Sequence, residues 1–382
     1  MAEDILPSPH PLTPPRSEDD WLSWLRLLRS RRVGPTTFFR LMAEHGGAAA
    51  ALEALPGVAL AAGVSDYTSC PAEAAAAEMK AGRLAGARLV AYGGVDYPAP
   101  LMDLPDAPPL LWVLGDTGLL TRPMVALVGA RNASSLGTRM ARKLAEGLTD
   151  KGFVVVSGLA RGVDTAAHLA ALRGGTCAVM AGGVDVVYPV ENAVLAQEIA
   201  ENGLRISEQA MGLQPQARHF PTRNRLISGI AGAVVVVEAA AKSGSLITAK
   251  NALDQGRDVL AVPGHPFDAR ASGCNLLIRD GAVLVRSVED VVEAISPPPA
   301  QAEMALEDTP AAAPASPPET RTLQETARLH SEILSRLGPS PVAEDQLIRD
   351  LKQPANTIAP ELVALELEGK IARQAGGLLS LA

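Results

Sequence analysis

A strand–turn–helix unit recurs five times between residues 129 and 282, and this repetition constrains the fold more than any other feature of the chain. Each time, a short apolar run leads into a turn rich in Gly, Ser or Arg, after which apolar residues take helical spacing. The turns are residues 129–137, 158–164, 182–185, 220–225 and 238–245. Strands that alternate with helices predict a mostly parallel sheet, in which all such turns meet at the carboxyl edge.

Seven candidate strands follow this pattern, and most of them are continuous apolar runs. Such runs are expected for strands that helices cover on both faces. The strands are residues 125–129, 153–157, 176–180, 204–207, 233–238, 259–262 and 282–285. The predicted fold class is therefore α/β, with a Rossmann-like, mostly parallel sheet.

The segments before the repeats differ from them in composition. Residues 1–18 are rich in Pro and polar side chains and predict a disordered leader. Residues 19–88 predict a small helical domain of the SAM or helix-hairpin-helix type, with plain helical packing as the alternative. Residues 89–296 form the predicted sheet domain, which an extended connector over 89–120 leads into.

The segments after the repeats predict a linker and a third domain. Residues 297–321 are rich in Pro and Ala, which is typical of a linker. Residues 322–382 predict three helices and a hairpin that turns at Gly376 and Gly377, which indicates a winged-helix-like domain. The second and third of these helices are acidic, which favours contact with a protein, or a degenerate wing, over the reading of duplex DNA.

The formal net charge of −8 argues against nucleic acid until its distribution is considered. Residues 129–283 carry 16 Lys and Arg against 13 Asp and Glu, so the acidity lies outside this part of the chain. The scattered Cys70, Cys177 and Cys274 predict neither a disulfide scaffold nor a metal site. Because no signal peptide and no run of 18 apolar residues is present, the expected location is cytoplasmic, without membrane contact.

The first two turns offer groups that bind phosphate. Gly129 lets the backbone approach a ligand closely, Arg131 projects from the turn, and Ser134 bonds a phosphate or caps the next helix. Gly158 and Arg161 play the same parts in the second turn. Free backbone N–H groups and cations at one sheet edge together favour a phosphate-bearing ligand.

The later turns add to this site. Arg223 and Arg225 bracket a predicted helix start at 226, where an anion is favoured, although they could instead pair with Glu191 or Glu208. Phe220 either stacks on a base or fills the core. The most phosphate-like turn follows the fifth strand, with a cation, a flexible turn and hydroxyls at a helix start: Lys242, Ser243, Gly244, Ser245 and Thr248.

Two further residues are interpreted as structural. Asp164 is expected to cap a helix over 165–172. His168 lies four residues later, and without a nucleophile tied to it in sequence it is interpreted as a core histidine rather than part of a catalytic pair. No acid–base pair, metal cluster or nucleophile elbow accompanies the turns, so the chain is expected to hold a ligand rather than transform it.

Taken together, six strings resemble the DNA-processing protein A (DprA, also called Smf) family in order and spacing. They are residues 129–131 (GAR), 157–168 (SGLARGVDTAAH), 182–192 (GGVDVVYPVEN), 220–229 (FPTRNRLISG), 238–249 (EAAAKSGSLITA) and 262–265 (VPGH). The flanking domains resemble the family's N-terminal helical domain and C-terminal winged helix less specifically. Ala130 stands where many members carry Ser.

This resemblance implies a protein without enzymatic activity or cofactor. It implies that the sheet domain binds single-stranded DNA, protects it from nucleases and loads the RecA recombinase onto it during natural transformation. It further implies a homodimer through that domain. The family's DNA-contacting positions match Arg131, Arg161, Arg223, Arg225 and Lys242.

Three other function classes compete with this one. A nucleotide hydrolase of the related phosphoribohydrolase type would carry a P-G-G-x-G-T-x-x-E motif on the turn at 242–248, and that motif is absent. A nicotinamide oxidoreductase would need a glycine fingerprint that the first turn lacks. A pure protein adaptor with the sheet as a dimerisation platform remains the third alternative.

Overall fold

The computed structural model describes residues 12–296, 323–338, 340–374 and 377–381. Those up to 296 belong to one compact unit and those from 323 to a second. The predicted linker at 297–321 and most of the predicted leader lie outside the described residues, so the predicted domain boundaries remain predictions. Within the described ranges, no helix combines the length and the hydropathy that crossing a lipid bilayer demands.

The first unit begins with four packed helices, α1 to α4. They span Glu18–Arg29, Pro35–His45, Ala48–Ala61 and Ala72–Leu84. Ser17 and Asp20 form a reciprocal capping box that starts α1. Helix α2 starts after Gly34 and ends before Gly46, whose φ of 77° suits glycine. The buried core of these helices includes Trp24, which packs edge-on against Phe38.

A nine-stranded sheet, counted over the described residues, forms the centre of the first unit. Its strands are β1 (Arg88–Ala91), β2 (Leu110–Gly115), β3 (Met124–Gly129), β4 (Val154–Ser157), β5 (Thr176–Val179), β6 (Leu204–Ser207), β7 (Ala233–Glu238), β8 (Asp258–Ala261) and β9 (Val283–Leu284). The spatial order is β1-β2-β6-β5-β4-β3-β7-β8-β9. All seven predicted strands are present, as β3 to β9, and their mutual pairings are parallel.

The predicted connector over 89–120 is not merely extended, and this expectation was wrong. It supplies β1 and β2, which pair with each other and, through β2, with β6 in antiparallel fashion. The mixed composition of the segment hid these strands, because Pro-rich turns and a short helix α5 (Ala99–Met102) separate them. The sheet is therefore extended by two strands on the side of β6.

Helices cover both faces of the sheet. They are α6 (Ser135–Asp150), α7 (Val163–Ala171), α8 (Ala193–Asn202), α9 (His219–Ile230), α10 (Ser245–Asp254), α11 (Ser272–Arg279) and α12 (Val288–Ile295). Alternate residues of β3 enter different cores: Val125 and Leu127 contact the α6–α7 layer, whereas Ala126 and Val128 contact the α9–α10 layer. Burial on both faces explains why the strand is apolar throughout.

The second unit is a small winged helix, as predicted. It contains α13 (Leu323–Arg336), β10 (Val342–Ala343), α14 (Glu344–Leu351), α15 (Ala355–Leu367), β11 (Ile371–Gln374) and β12 (Leu378–Leu381). The hairpin β11–β12 forms as expected, with Gly377 at φ 71°, while Gly376 lies outside the described residues. Strand β10 adds to β12 and was not predicted. The core of this second unit includes Ile333, Ile358 and Leu362, all fully buried.

Candidate functional site

A cavity of about 890 Å³ opens at the carboxyl edge of the sheet, and we call it the edge groove. The turns after β3 and β7 and the first half of α9 form its walls. Nine of the thirteen residues predicted as ligand-binding line it: Gly129, Arg131, Phe220, Arg223, Lys242, Ser243, Gly244, Ser245 and Thr248. The convergence of separate turns at one sheet edge is what a parallel sheet imposes.

Arg131 and Lys242 are the exposed predicted cations of the edge groove. Neither forms an ion pair with another residue that the structure describes. Arg131 follows β3, and Lys242 follows β7, its hydrogen-bonded neighbour, so the two cations flank adjacent strand ends. An exposed cation that is not neutralised by the protein is available to an anionic ligand.

Phe220 provides an aromatic surface next to these cations. Its ring lies 5.4 Å from the Arg131 guanidinium carbon and 5.5 Å, centroid to centroid, from the ring of Tyr188. Phe220 is half-buried and Tyr188 is 52% exposed, so neither ring is sealed in the core. Of the two sequence-based interpretations of Phe220, the exposed stacking surface fits this position.

Arg270 and Tyr188 are among the residues of the groove wall that sequence reasoning missed. Arg270 lines the edge groove from the loop after β8, where Asp268 pairs with it at 3.1 Å. Tyr188 comes from the loop after β5. Both loops follow parallel strands, so the rule that carboxyl-edge loops converge could have identified them.

Arg223 lines the edge groove but is only 5% exposed. Its Nη1 donates hydrogen bonds to the carbonyl oxygens of Gly158, at 2.7 Å, and Val179. Gly158 leaves room for this side chain, because a Cβ there would lie 2.4 Å from the guanidinium. Arg223 thus ties α9 to the ends of β4 and β5, and Gly158 contributes space rather than a ligand contact.

The predicted helix starts around these residues were wrong. Helix α9 begins at His219, so Arg223 lies in its interior rather than before its start. Helix α7 begins at Val163, and Asp164 lies in its first turn instead of capping it. The Asp164 carboxylate accepts hydrogen bonds from the backbone N–H groups of Gly158, at 3.1 Å, and Ala160, at 3.2 Å, and so fixes the preceding turn.

Burial shifts the pKa of both charged groups beneath the groove. It lowers the pKa of Arg223 to about 10, with the charge of Asp164 opposing the shift. It raises the pKa of the Asp164 carboxyl, with Arg223 and two backbone N–H groups opposing that shift. A guanidinium with a pKa near 10 remains protonated at neutral pH, so Arg223 adds positive potential below the groove.

Arg225 is not brought into the edge groove. Its guanidinium pairs with Asp106 at 3.1 Å and also with Glu208, and its side chain is 12% exposed. Of the alternatives raised by the sequence, pairing with Glu208 is confirmed. Since both acids neutralise it, Arg225 holds α9 against the end of β6 instead of facing a ligand.

Ser134 and Arg161 also lie outside the residues that line the groove. Ser134 caps α6 through a hydrogen bond from the Gly137 N–H at 3.0 Å, and its hydroxyl donates to Glu238. Its capping role is therefore confirmed. Arg161 is exposed on the second turn and forms a long ion pair of 3.8 Å with the exposed Glu191.

His168 is a core residue, as interpreted from the sequence. It is fully buried, and its Nδ1 lies 2.7 Å from the Thr176 hydroxyl. Burial lowers the pKa of His168 to about 3, so the ring is neutral at physiological pH. Across the described residues, no group of three or more His, Cys, Asp or Glu side chains is arranged to hold a metal ion.

Comparison with known sequences identifies one family along most of the chain. Residues 88–296 match the family described as DNA recombination-mediator protein A. Residues 18–81 match its N-terminal HHH domain, and residues 311–377 its winged helix domain. DNA processing protein DprA of Streptococcus pneumoniae is 47% identical over 51% of this chain and 70% of its own length. Protein Smf of Escherichia coli is 37% identical over 75% of both chains.

Solved structures agree with these sequence matches. DNA processing protein A from Streptococcus pneumoniae superimposes with a TM-score of 0.57 at 34% identity, covering 72% of this chain and 94% of that one. A structure from Helicobacter pylori, described for its single-stranded DNA binding mode, gives a TM-score of 0.51 at 30% identity. That alignment covers 55% of this chain and 95% of the other.

Proposed function

Because the chain belongs to the DNA recombination-mediator protein A family, we propose that it binds single-stranded DNA in the edge groove. The protein protects that strand from nucleases and loads the RecA recombinase onto it during natural transformation or recombination. The observation that carries the proposal is the convergence of exposed Arg131 and Lys242 with the ring of Phe220 in one cavity. The relative from Helicobacter pylori, described for its single-stranded DNA binding mode, supports it.

The groove chemistry supports binding to a sugar–phosphate strand rather than to a base sequence. Cations contact phosphates whatever the sequence, and an aromatic face stacks on any base. Asp164 is the sole carboxylate among the described residues that line the cavity, and its Oδ2 already accepts two backbone hydrogen bonds. This supports holding a strand over hydrolysing a nucleotide. Affinity is therefore expected to fall steeply with salt.

Fluorescence anisotropy with a labelled oligothymidylate tests the site. Arg131→Ala and Lys242→Ala should each weaken binding by about 1–3 kcal/mol, which is roughly fivefold to 150-fold, because each removes a charged hydrogen bond to phosphate. Lys151→Ala is the matched control. Lys151 is exposed between the end of α6 and the start of β4, so it lies at the edge of the sheet opposite the edge groove. Wild-type affinity in both groove variants would refute the assignment.

Recombinase loading and strand protection form the finer part of the proposal and need their own assay. Wild-type protein should slow nuclease digestion of single-stranded DNA and accelerate RecA filament formation on it. Lys242→Glu should lose both effects, because it places a carboxylate against the phosphates. If Lys242→Glu loses DNA binding but retains full RecA stimulation, loading does not proceed through the edge groove.

A homodimer through the sheet domain is the last part of the proposal, and the edge strand β9 supports it. Val283 and Leu284 of β9 are 45% and 41% exposed, and an open apolar strand edge favours pairing with a second copy. Leu284→Lys should shift the protein from dimer to monomer in sedimentation equilibrium. A wild-type protein that sediments as a monomer at micromolar concentration would contradict this.

A further inference from the structure

A second cavity, of about 680 Å³, lies beside the edge groove, and we call it the α6 cleft. One wall is the exposed face of α6, and the other is the loop that follows β8. Residues that follow the ends of β3 and β7 line both cavities. Arg131 lines the groove and Ser134 the cleft, while Glu238 lines the cleft and Lys242 the groove.

The α6 wall presents three exposed cations at helical spacing. Arg139, Arg142 and Lys143 lie three and four residues apart, so they share one face of the helix. None of them forms an ion pair with a residue that the structure describes. The positive charge of Lys143 also helps to lower the pKa of Glu289. Arg139 and Arg142 are therefore the two cations more available to a ligand.

The acids of the cleft leave these two arginines unneutralised. Glu238 accepts hydrogen bonds from the backbone and hydroxyl groups of Ser134. Asp268 is occupied by Arg270 through two hydrogen bonds of 3.1 Å. Glu146 is an exposed carboxylate one turn beyond Arg142 and two turns beyond Arg139 on α6, and it forms no ion pair with either arginine.

The opposite wall carries aromatic rings that the core does not use. His265 lines the cleft, and its ring lies 5.5 Å from the ring of Phe267. Phe267 does not line the cleft itself but lies between two residues that do, His265 and Asp268, and it is 94% exposed. An exposed aromatic ring at the border of a cleft that holds unpaired cations supplies the two components with which proteins hold single strands.

We propose that the α6 cleft is a second binding segment for single-stranded DNA, which continues the strand from the edge groove across α6. Arg139 and Arg142 contact phosphates there, and Phe267 stacks on a base. This inference rests on the proposed function, because the groove must hold the first part of the same strand. An acidic protein surface would also suit the arginines, but it would not use the exposed ring of Phe267.

Oligonucleotide length separates the two segments. Short (about 6 nucleotides) and long (about 20 nucleotides) oligothymidylates are titrated by anisotropy over a range of salt concentrations. The double variant Arg139→Glu, Arg142→Glu should bind the short strand within about twofold of wild type and the long strand about tenfold more weakly. The slope of its long-strand affinity against salt should become shallower by about 0.7 for each phosphate that the variant no longer neutralises.

Two further variants make the result specific. Lys151→Glu with Arg173→Glu introduces the same charge change at exposed residues that precede β4 and β5, at the opposite edge of the sheet, and should leave both affinities near wild type. Phe267→Ala changes no charge and should weaken only the long strand, by about fivefold. The wild type, the two double variants and Phe267→Ala should all unfold at similar temperatures, because every substituted side chain is exposed.

The outcomes are distinct. Equal losses of affinity for short and long strands, or a long-strand affinity unchanged in the α6 variant and in Phe267→Ala, would overturn the second segment while leaving the edge groove intact. The latter result would point to an acidic protein as the occupant of the cleft. A wild-type protein that fails to bind the short strand would instead refute the proposed function.

Discussion

Arginines with similar sequence surroundings take different positions at the edge groove. Arg131 is exposed beside an aromatic ring, whereas Arg223 is buried and donates to two backbone carbonyl groups. Arg223 can take its buried position because Gly158 has no side chain and leaves space for the guanidinium. A buried guanidinium that satisfies carbonyl oxygens stabilises the turns, while an exposed one is free to bind an anion.

Gly158→Ala should therefore destabilise the protein. A Cβ 2.4 Å from the Arg223 guanidinium forces that side chain out of place, at a cost of about 1–3 kcal/mol. Urea denaturation measures the destabilisation, and the cost should shrink in an Arg223→Ala background. Gly244→Ala is the control: its Cβ would meet nothing within 4 Å, so stability should stay unchanged. Equal costs of Gly158→Ala in both backgrounds would contradict the steric explanation.

The burial of His168 leads us to expect that the stability of the protein depends on pH. Its pKa is about 3 in the folded protein against 6.5 for the unperturbed group, so below pH 6.5 the unfolded chain binds a proton that the folded chain does not. Stability is thus lost as pH falls, by about 2 kcal/mol between pH 7 and pH 5 from this group. In denaturation series, His168→Asn should be less stable at pH 7 but lose less on acidification. An identical slope in both proteins would refute this.

At the scale of elements, α9 presents two different faces. Successive residues of a helix are rotated by about 100°, so Phe220 and Arg223 share a face while Arg225 points away from Arg223. The structure agrees: the first two line the groove, and Arg225 pairs with Asp106 and Glu208. One helix therefore connects the binding surface to the end of β6.

Arg225→Met tests this structural role. Removing the guanidinium leaves the buried Glu208 without its partner, so the free energy of unfolding should drop by about 3 kcal/mol or more. Single-strand affinity of the folded protein should change less than in Arg131→Ala. Glu208→Gln in the same chain should restore part of the stability. Unchanged stability with a large loss of DNA affinity would instead support the direct DNA binding predicted from the sequence.

At the scale of the whole molecule, the described groove and cleft both lie in the first compact unit. The formal charge of the full chain is −8, so its total charge does not favour DNA. Binding depends instead on where cations are concentrated, since screening limits the reach of distant acids to about 10 Å.

A chain that ends at Pro299 should retain single-strand affinity within about threefold of the full protein, because it keeps every cation that lines the groove. Circular dichroism first establishes that the fragment is folded, and anisotropy then compares the affinities. A loss beyond tenfold in a folded fragment would mean that the winged helix contributes to the bound strand. Such a result would oppose the expectation that its acidic helices contact protein.

The sequence alone determined the order of strands and helices, the edge where the turns meet and the family, because these depend on local periodicity and on motifs. It also singled out Arg131 and Lys242, both of which line the edge groove. Only the tertiary structure decided that Arg223 is buried against backbone carbonyl groups, that Arg225 pairs with Glu208 and that β1 and β2 join the sheet. Those outcomes depend on partners up to about a hundred residues away, such as Ser207 for Trp112 in the pairing of β2 with β6, and local patterns do not encode such interactions.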